Sequence, residues 1–188
     1  MPASGLTAEQ LLAQAIKALK LTNLGLLKAK IDVDPDTVLG VDGNELQVQL
    51  KWGASKSQHL QAEDRVSKEA NQFFLVEVAT SLRMIDKVPV DQPDLASGES
   101  GPLASEPKVR GELEATYIVT YEVDNSVELD PQALDEFAKR NVIYHVWPYW
   151  RAYITDTLGR TNLPPFVLPM FALSASKPVV STDAKSTR

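Results

Sequence analysis

Residues 145–171 read HVWPYWRAYITDTLGRTNLPPFVLPMF, and the fold turns on how this stretch is understood. Its first half has a helical rhythm. Ile143, Val146, Trp147, Trp150, Tyr153, Ile154 and Leu158 recur three and four residues apart, so they share one broad stripe of an α-helix. Pro148 falls inside that helix, where it removes a backbone donor and crowds the preceding turn. A kink or break near Tyr144–Trp147 is therefore expected. Gly159 stands where a helix stop is wanted. The second half cannot form a regular helix or a central strand, because Pro164, Pro165 and Pro169 forbid both. Yet Leu163, Phe166, Leu168, Met170 and Phe171 are apolar and must meet either the domain's own core or a ligand.

Upstream, Asp130-Pro131 supplies an N-cap and a first-turn proline for a helix carrying Leu134 and Phe137. Before it come four runs with strand periodicity. Leu27, Ala29, Ile31 and Val33 alternate with Lys28, Lys30 and Asp32. Leu46, Val48, Leu50 and Trp52 alternate with Glu45, Gln47, Gln49 and Lys51. Pro35-Asp36 and Asp42-Gly43-Asn44 mark turns between these two runs. In 71–86, Phe74, Val76, Val78, Leu82 and Met84 share one face. In 109–124, Leu113, Ala115, Tyr117, Val119, Tyr121 and Val123 do the same. The opposite face is polar, with Glu112, Glu114 and Glu122, but it also holds Phe73, Leu75 and Ile118. A sheet with one apolar face must cover it, and the aromatic helix is the obvious cover.

At the front, Thr7 and Gln10 have capping-box spacing ahead of Leu11, Leu12, Ala15, Ile16 and Leu19, which predicts a helix over about 7–20. Such a helix either packs on its own domain or serves as an arm for a partner. Residues 88–107, with four prolines and two glycines, read as a flexible insertion, and 174–188 read as a disordered tail. The expectation is one α+β domain over 1–173: a four-stranded antiparallel sheet, a C-terminal helix packed on one face, and an extra N-terminal helix.

The 188 residues carry a formal charge of −6, with no cysteine. Nucleic acid is a poor partner for such a chain, because phosphate binding needs clustered Lys and Arg. Disulfides, thiolate metal sites and cysteine nucleophiles are excluded. No apolar run approaches the ~18 residues needed to cross a bilayer, and the first residues lack a signal-peptide pattern, so membrane insertion is not expected and a cytoplasmic location is.

Chemistry is hard to find. His59 and His145, the two histidines, lie in unlike contexts. No metalloprotease, phosphate-loop or nucleophile-elbow motif occurs. Glu112, Glu114 and Glu122 sit where carboxylates are usually solvated bystanders. No catalytic residue, metal or cofactor is expected. What stands out is surplus apolar surface, with Leu163, Phe166, Leu168, Met170, Phe171, Phe73 and Leu75 as candidate groove residues.

The stretch WPYWRAYITDTLGRTNLPPFVLPMF resembles the C-terminal signature of SecB, the tetrameric protein-export chaperone family. Trp147, Pro148, Tyr149 and Arg151 match its aromatic-Pro-Tyr-x-Arg helix. Leu163-Pro164-Pro165, Leu168, Pro169 and Phe171 match its proline-rich crossover. The strand order extends a weaker resemblance over residues 22–171. The resemblance implies an ATP-independent holdase for unfolded clients, assembled as a dimer of dimers. It places Leu163, Phe166, Leu168, Met170 and Phe171 in a client groove, and Glu112, Glu114 and Glu122 on an acidic face for the SecA motor. Trp147, Trp150, Tyr153 and Ile154 are then candidate oligomer contacts. The family's second C-terminal helix is missing here, the 88–107 loop is long and the N-terminal helix is additional. These departures point to the divergent SecB-like chaperones, some of which protect an antitoxin of a toxin–antitoxin system. The residues leave two other readings open: a small-ligand α+β domain with an enclosed pocket, and a structural subunit anchored by Trp147 and Trp150.

Overall fold

The computed structural model describes residues 5–38, 45–63, 70–87, 107–161 and 163–171. The expected loop at 88–107 (all but Pro107), the tail at 174–188 and the turn at 42–44 lie outside them. Helix α1 spans Ala8–Ala18. Thr7 Oγ1 accepts from the Gln10 amide, and Gln10 Oε1 accepts from the Thr7 amide, which satisfies two otherwise orphaned helix-start donors. The chain passes directly from α1 into strand β1, Leu19–Val33. A short helix α2, Pro35–Val38, follows. Strands β2, Leu46–Glu63, β3, Ala70–Asp86, and β4, Val109–Val123, come next. Helices α3, Pro131–Arg140, and α4, Val142–Leu158, complete the order.

All neighbouring strands are antiparallel, in the order β1-β4-β3-β2. Three consecutive strands form a meander and β1 lies beside the last of them, a Greek-key arrangement. The register places Phe74 opposite Tyr121, Val76 opposite Val119, Val78 opposite Tyr117 and Leu82 opposite Leu113. All eight are buried, because their shared face lies under the helices. Each such side chain contributes roughly 1.5–3 kcal/mol when removed from water. The alternate residues, from Phe73 to Arg83 on β3 and from Glu112 to Glu122 on β4, look outward.

Helices α3 and α4 lie over β2, β3 and β4, and α1 packs on α3. Leu11, Ala15 and Ala18 supply the buried stripe of α1. Gln14 stitches the two helices together. Its Nε2 donates to the Glu128 carbonyl at 2.6 Å, and its Oε1 accepts from the Asp130 amide at 3.2 Å. The first helix is thus part of its own domain. At one end of the sheet the buried Arg110 bridges Asp86, at 2.8 Å, and Asp34, at 3.2 Å. Lys108 adds bonds to Asp34 and Asp36. These ties hold the ends of β1, β3 and β4 in register.

Two local expectations shift. The break falls at Asn141, which ends α3 and begins α4, and Pro148 lies within a continuous α4. Packing of Val146, Trp147, Trp150 and Ile154 holds the helix across the missing hydrogen bond. Gly159 caps α4 with φ −65°, an ordinary right-handed conformation, so the left-handed freedom of glycine is not what ends the helix.

Candidate functional site

After α4 the chain crosses the open side of the helix–sheet sandwich, and its apolar residues divide into two sets. Leu163 lies over Gly111, where an added Cβ would come within 2.7 Å of Leu163 Cδ1. A side chain at that point of β4 would force Leu163 to shift. Leu163 is 4 % exposed and Leu168 is fully buried. Trp147 Nε1 donates to the Pro169 carbonyl at 2.9 Å, which fixes the strip against α4. Phe171 then enters an aromatic nest, with ring centres 4.9 Å from Tyr144, 4.9 Å from Trp147 and 5.8 Å from Trp52. These contacts close the core, and Phe166 and Phe171 pack half-buried against it.

The other set faces water. Met170 is 78 % exposed, Val167 64 % and Tyr149 55 %. Met170 joins Trp147, Pro148, Arg151, Ala152, Thr155 and Asp156 around a cleft of about 690 Å³ on the outer side of α4. Its walls are mostly carbon, formed by an indole, a proline ring, a methyl and a thioether. Arg151 Nη1 donates to Met170 Sδ at 3.0 Å. A second cleft of about 540 Å³ follows β2 from Gln47 to Lys51, with Arg83, Glu112 and Phe166 beside it.

Several sequence expectations are corrected by this geometry. Leu163 and Leu168 are core residues and do not wall a groove, because the strip turns them toward β4 and α4. Trp147, Trp150 and Ile154 are buried in their own subunit, so they cannot anchor a neighbour. Tyr153 is half-buried and stacks on Trp150 with ring centres 5.6 Å apart. Its hydroxyl is buried without a hydrogen-bond partner among the described residues. Phe73 and Leu75 share the sheet's outward face, opposite to the one the crossover closes, and so do not line the same surface as Met170. Strand pleat, which alternates faces, makes this unavoidable once Phe74 and Val76 are buried.

The outward face is also less acidic than expected. In register, Glu122 neighbours Lys20, Glu114 neighbours Lys30, and Glu112 neighbours both Asp32 and Arg83. Glu112 accepts a hydrogen bond from Arg83 Nε, which raises the affinity of that guanidinium for its proton. The face is one of mixed charge. Elsewhere, burial pushes the Tyr117 hydroxyl up to about 12, with Tyr153 adding to it, and burial alone raises Tyr121 further. Tyr121 Oη lies 2.7 Å from His145 Nδ1, and burial lowers the pKa of that imidazole. These are closed packing contacts. Among the described residues no group of three or more His, Asp or Glu is placed to share a metal ion, and no helix is long and apolar enough to cross a membrane.

Sequence reasoning did not place Tyr149, Val167 or Ala152 among the candidate groove residues. It also missed the helix-side face of β1. There Leu21, Leu26 and Ile31 lie opposite Tyr121, Tyr117 and Leu113, yet among the described residues they remain exposed. Strand periodicity marked the apolar phase of Ile31 but had no means of marking a missing cover.

A sheet in this order, with helices on one face and a proline-rich crossover closing the sandwich, is a SecB-like α+β fold. The SecB-like chaperone Rv1957 of Mycobacterium tuberculosis, solved in complex with a ChAD peptide from the Rv1956 HigA1 antitoxin, superposes with a TM-score of 0.57 at 15 % identity, covering 87 % of this chain and 98 % of that one. A protein of unknown function from Streptococcus agalactiae aligns over 81 % of this chain and 98 % of its own, at 8 % identity and a TM-score of only 0.30. No family model matches the chain, and no curated protein matches it by sequence.

Proposed function

We propose that this chain is a SecB-like chaperone that holds extended, non-native polypeptide segments against the outer side of α4 and the exposed half of the crossover. The observation that carries this reading is the carbon-walled cleft of about 690 Å³ beside Met170, open to water and lacking any cluster of groups suited to catalysis. Each large apolar client side chain placed there gains roughly 1.5–3 kcal/mol. Association entropy consumes much of that gain, so one cleft binds weakly and several on one assembly bind strongly. No nucleotide enters the scheme, since a holdase opposes folding and aggregation by mass action alone.

The SecB-like fold supports the same reading, and the antitoxin peptide bound by the mycobacterial protein favours a dedicated client over a general one. Delivery to SecA has weaker support, given the mixed charge of the outward sheet face. Assembly into a homotetramer, a dimer of dimers, would give the exposed stripe Leu21–Leu26–Ile31 on the free edge strand β1 a cover. A cytoplasmic site of action fits the cysteine-free sequence.

The test is aggregation of a chemically denatured protein diluted into buffer without ATP. Wild type should suppress light scattering. The double variant Val167→Ser, Met170→Ser should lose most of that activity while its circular dichroism stays unchanged. Full activity in the folded double variant would refute the assignment of the cleft.

A further inference from the structure

Arg151 is the one cation lining the cleft on α4, and it is poorly matched by its own chain. It is half-buried, and its described hydrogen bond goes to the thioether of Met170, at 3.0 Å. A thioether is a weak acceptor, whereas a guanidinium offers five donors in a fixed fork that suits a carboxylate. No carboxylate among the described residues is paired with it. Asp156, in the same cleft, is already bonded to Arg160 at 3.1 Å. Met170 is also the most exposed large apolar side chain described, held by few neighbours and flexible enough to be displaced.

Resting on the chaperone reading above, we propose that Arg151 is a specificity-determining residue and that the preferred client segment carries an acidic side chain two positions from a large apolar one. The spacing follows from geometry. Pro148 and Arg151 are three residues apart on α4, which places their Cβ atoms roughly 5–6 Å apart along one face. In an extended chain, residues two apart point the same way and lie roughly 6.6 Å apart. An apolar side chain against the exposed Pro148 and Ala152 therefore brings a carboxylate at the second position along the chain to the guanidinium. The chain as a whole is acidic, with a formal charge of −6, so this preference is local. It operates inside a field that otherwise attracts basic segments.

The experiment uses the full chain and fluorescein-labelled synthetic peptides in a Gly/Ser frame, each with a distant Lys to balance charge. One peptide contains Phe-Ser-Glu, its twin Phe-Ser-Gln, and a control Ser-Ser-Gln. Binding is read by fluorescence anisotropy at about 0.15 M salt, where long-range charge effects are screened beyond about 8 Å. The expected result is that wild type prefers the Glu peptide about three- to ten-fold, as befits a partly shielded charged hydrogen bond. In Arg151→Gln the two Phe peptides bind equally, so the preference for Glu is lost, with the urea midpoint unchanged. Equal binding of the Phe peptides by wild type overturns the role of Arg151 and leaves the cleft standing, as does a preference that survives Arg151→Gln. If the Phe peptides bind no better than the control, the cleft reading fails and this inference fails with it.

Discussion

Leu168→Ala and Met170→Ala, two residues apart on one apolar strip, should have very unequal consequences for stability. Leu168 is fully buried in the core cluster, while Met170 is 78 % exposed. Truncating Leu168 removes roughly three methylene equivalents at ~0.8 kcal/mol each, or ~2.4 kcal/mol of transfer free energy. The cavity left beside the Trp147–Pro169 hydrogen bond adds about 1–2 kcal/mol, for a total of about 3.5–4.5 kcal/mol. With a urea m-value of about 2 kcal/mol per M, the unfolding midpoint should fall by about 1.7–2.2 M. The melting temperature should drop by about 10 °C in a chain of this length. Met170→Ala should stay within about 0.5 kcal/mol of wild type. Urea titration followed by circular dichroism measures both, and an unchanged m-value shows that the comparison is sound. A wild-type midpoint for Leu168→Ala, or an equal loss in Met170→Ala, would mean that the strip is not divided into a core half and an open half.

Gly111→Val should destabilise by about 1–3 kcal/mol through overpacking against Leu163, whose nearest carbon lies 2.7 Å from the new Cβ; a thermal melt checks it, and an unshifted melt shows that the crossover does not approach β4 there. Trp147→Phe should cost about 1–2 kcal/mol, because the Pro169 carbonyl loses its donor and Trp52 loses an edge contact; a urea midpoint equal to that of wild type would count against the anchor. Burial lowers the pKa of His145 below the value of about 6.5 that it has in the unfolded chain. The unfolded state therefore binds more protons just below that pH, so stability is lost as pH falls through about 6.5 and continues to fall until the folded value is passed. His145→Gln should flatten this part of the urea-midpoint profile, and parallel profiles for variant and wild type would exclude His145 as its source. Leu26→Lys on the free edge of β1 should shift the mass measured by light scattering toward the monomer; an unchanged mass places any self-association elsewhere.

The sequence by itself determined the elements and their faces. Burying Phe74, Val76 and Val78 on β3 and Leu113 to Val123 on β4 follows from the period of two, and the stripe of α4 follows from 3.6 residues per turn, since both are local consequences of backbone geometry. The capping box of α1 and the Asp130 cap of α3 were legible for the same reason. The proline-rich signature after residue 145 led to the SecB-like fold that the superposition bears out. Only the tertiary structure decided where covers lie. Leu168 and Met170 are equally apolar on paper, and the hydrogen bond from Trp147 to Pro169 turns one inward and leaves the other in water. Ile31 and Leu113 carry the same alternation, but α4 packs on β4 and buries Leu113 while Ile31, opposite it on β1, stays exposed. Phe73 and Met170 both looked like groove residues, and the sheet stands between them. Burial depends on contacts between residues far apart in the chain, and no local period encodes those.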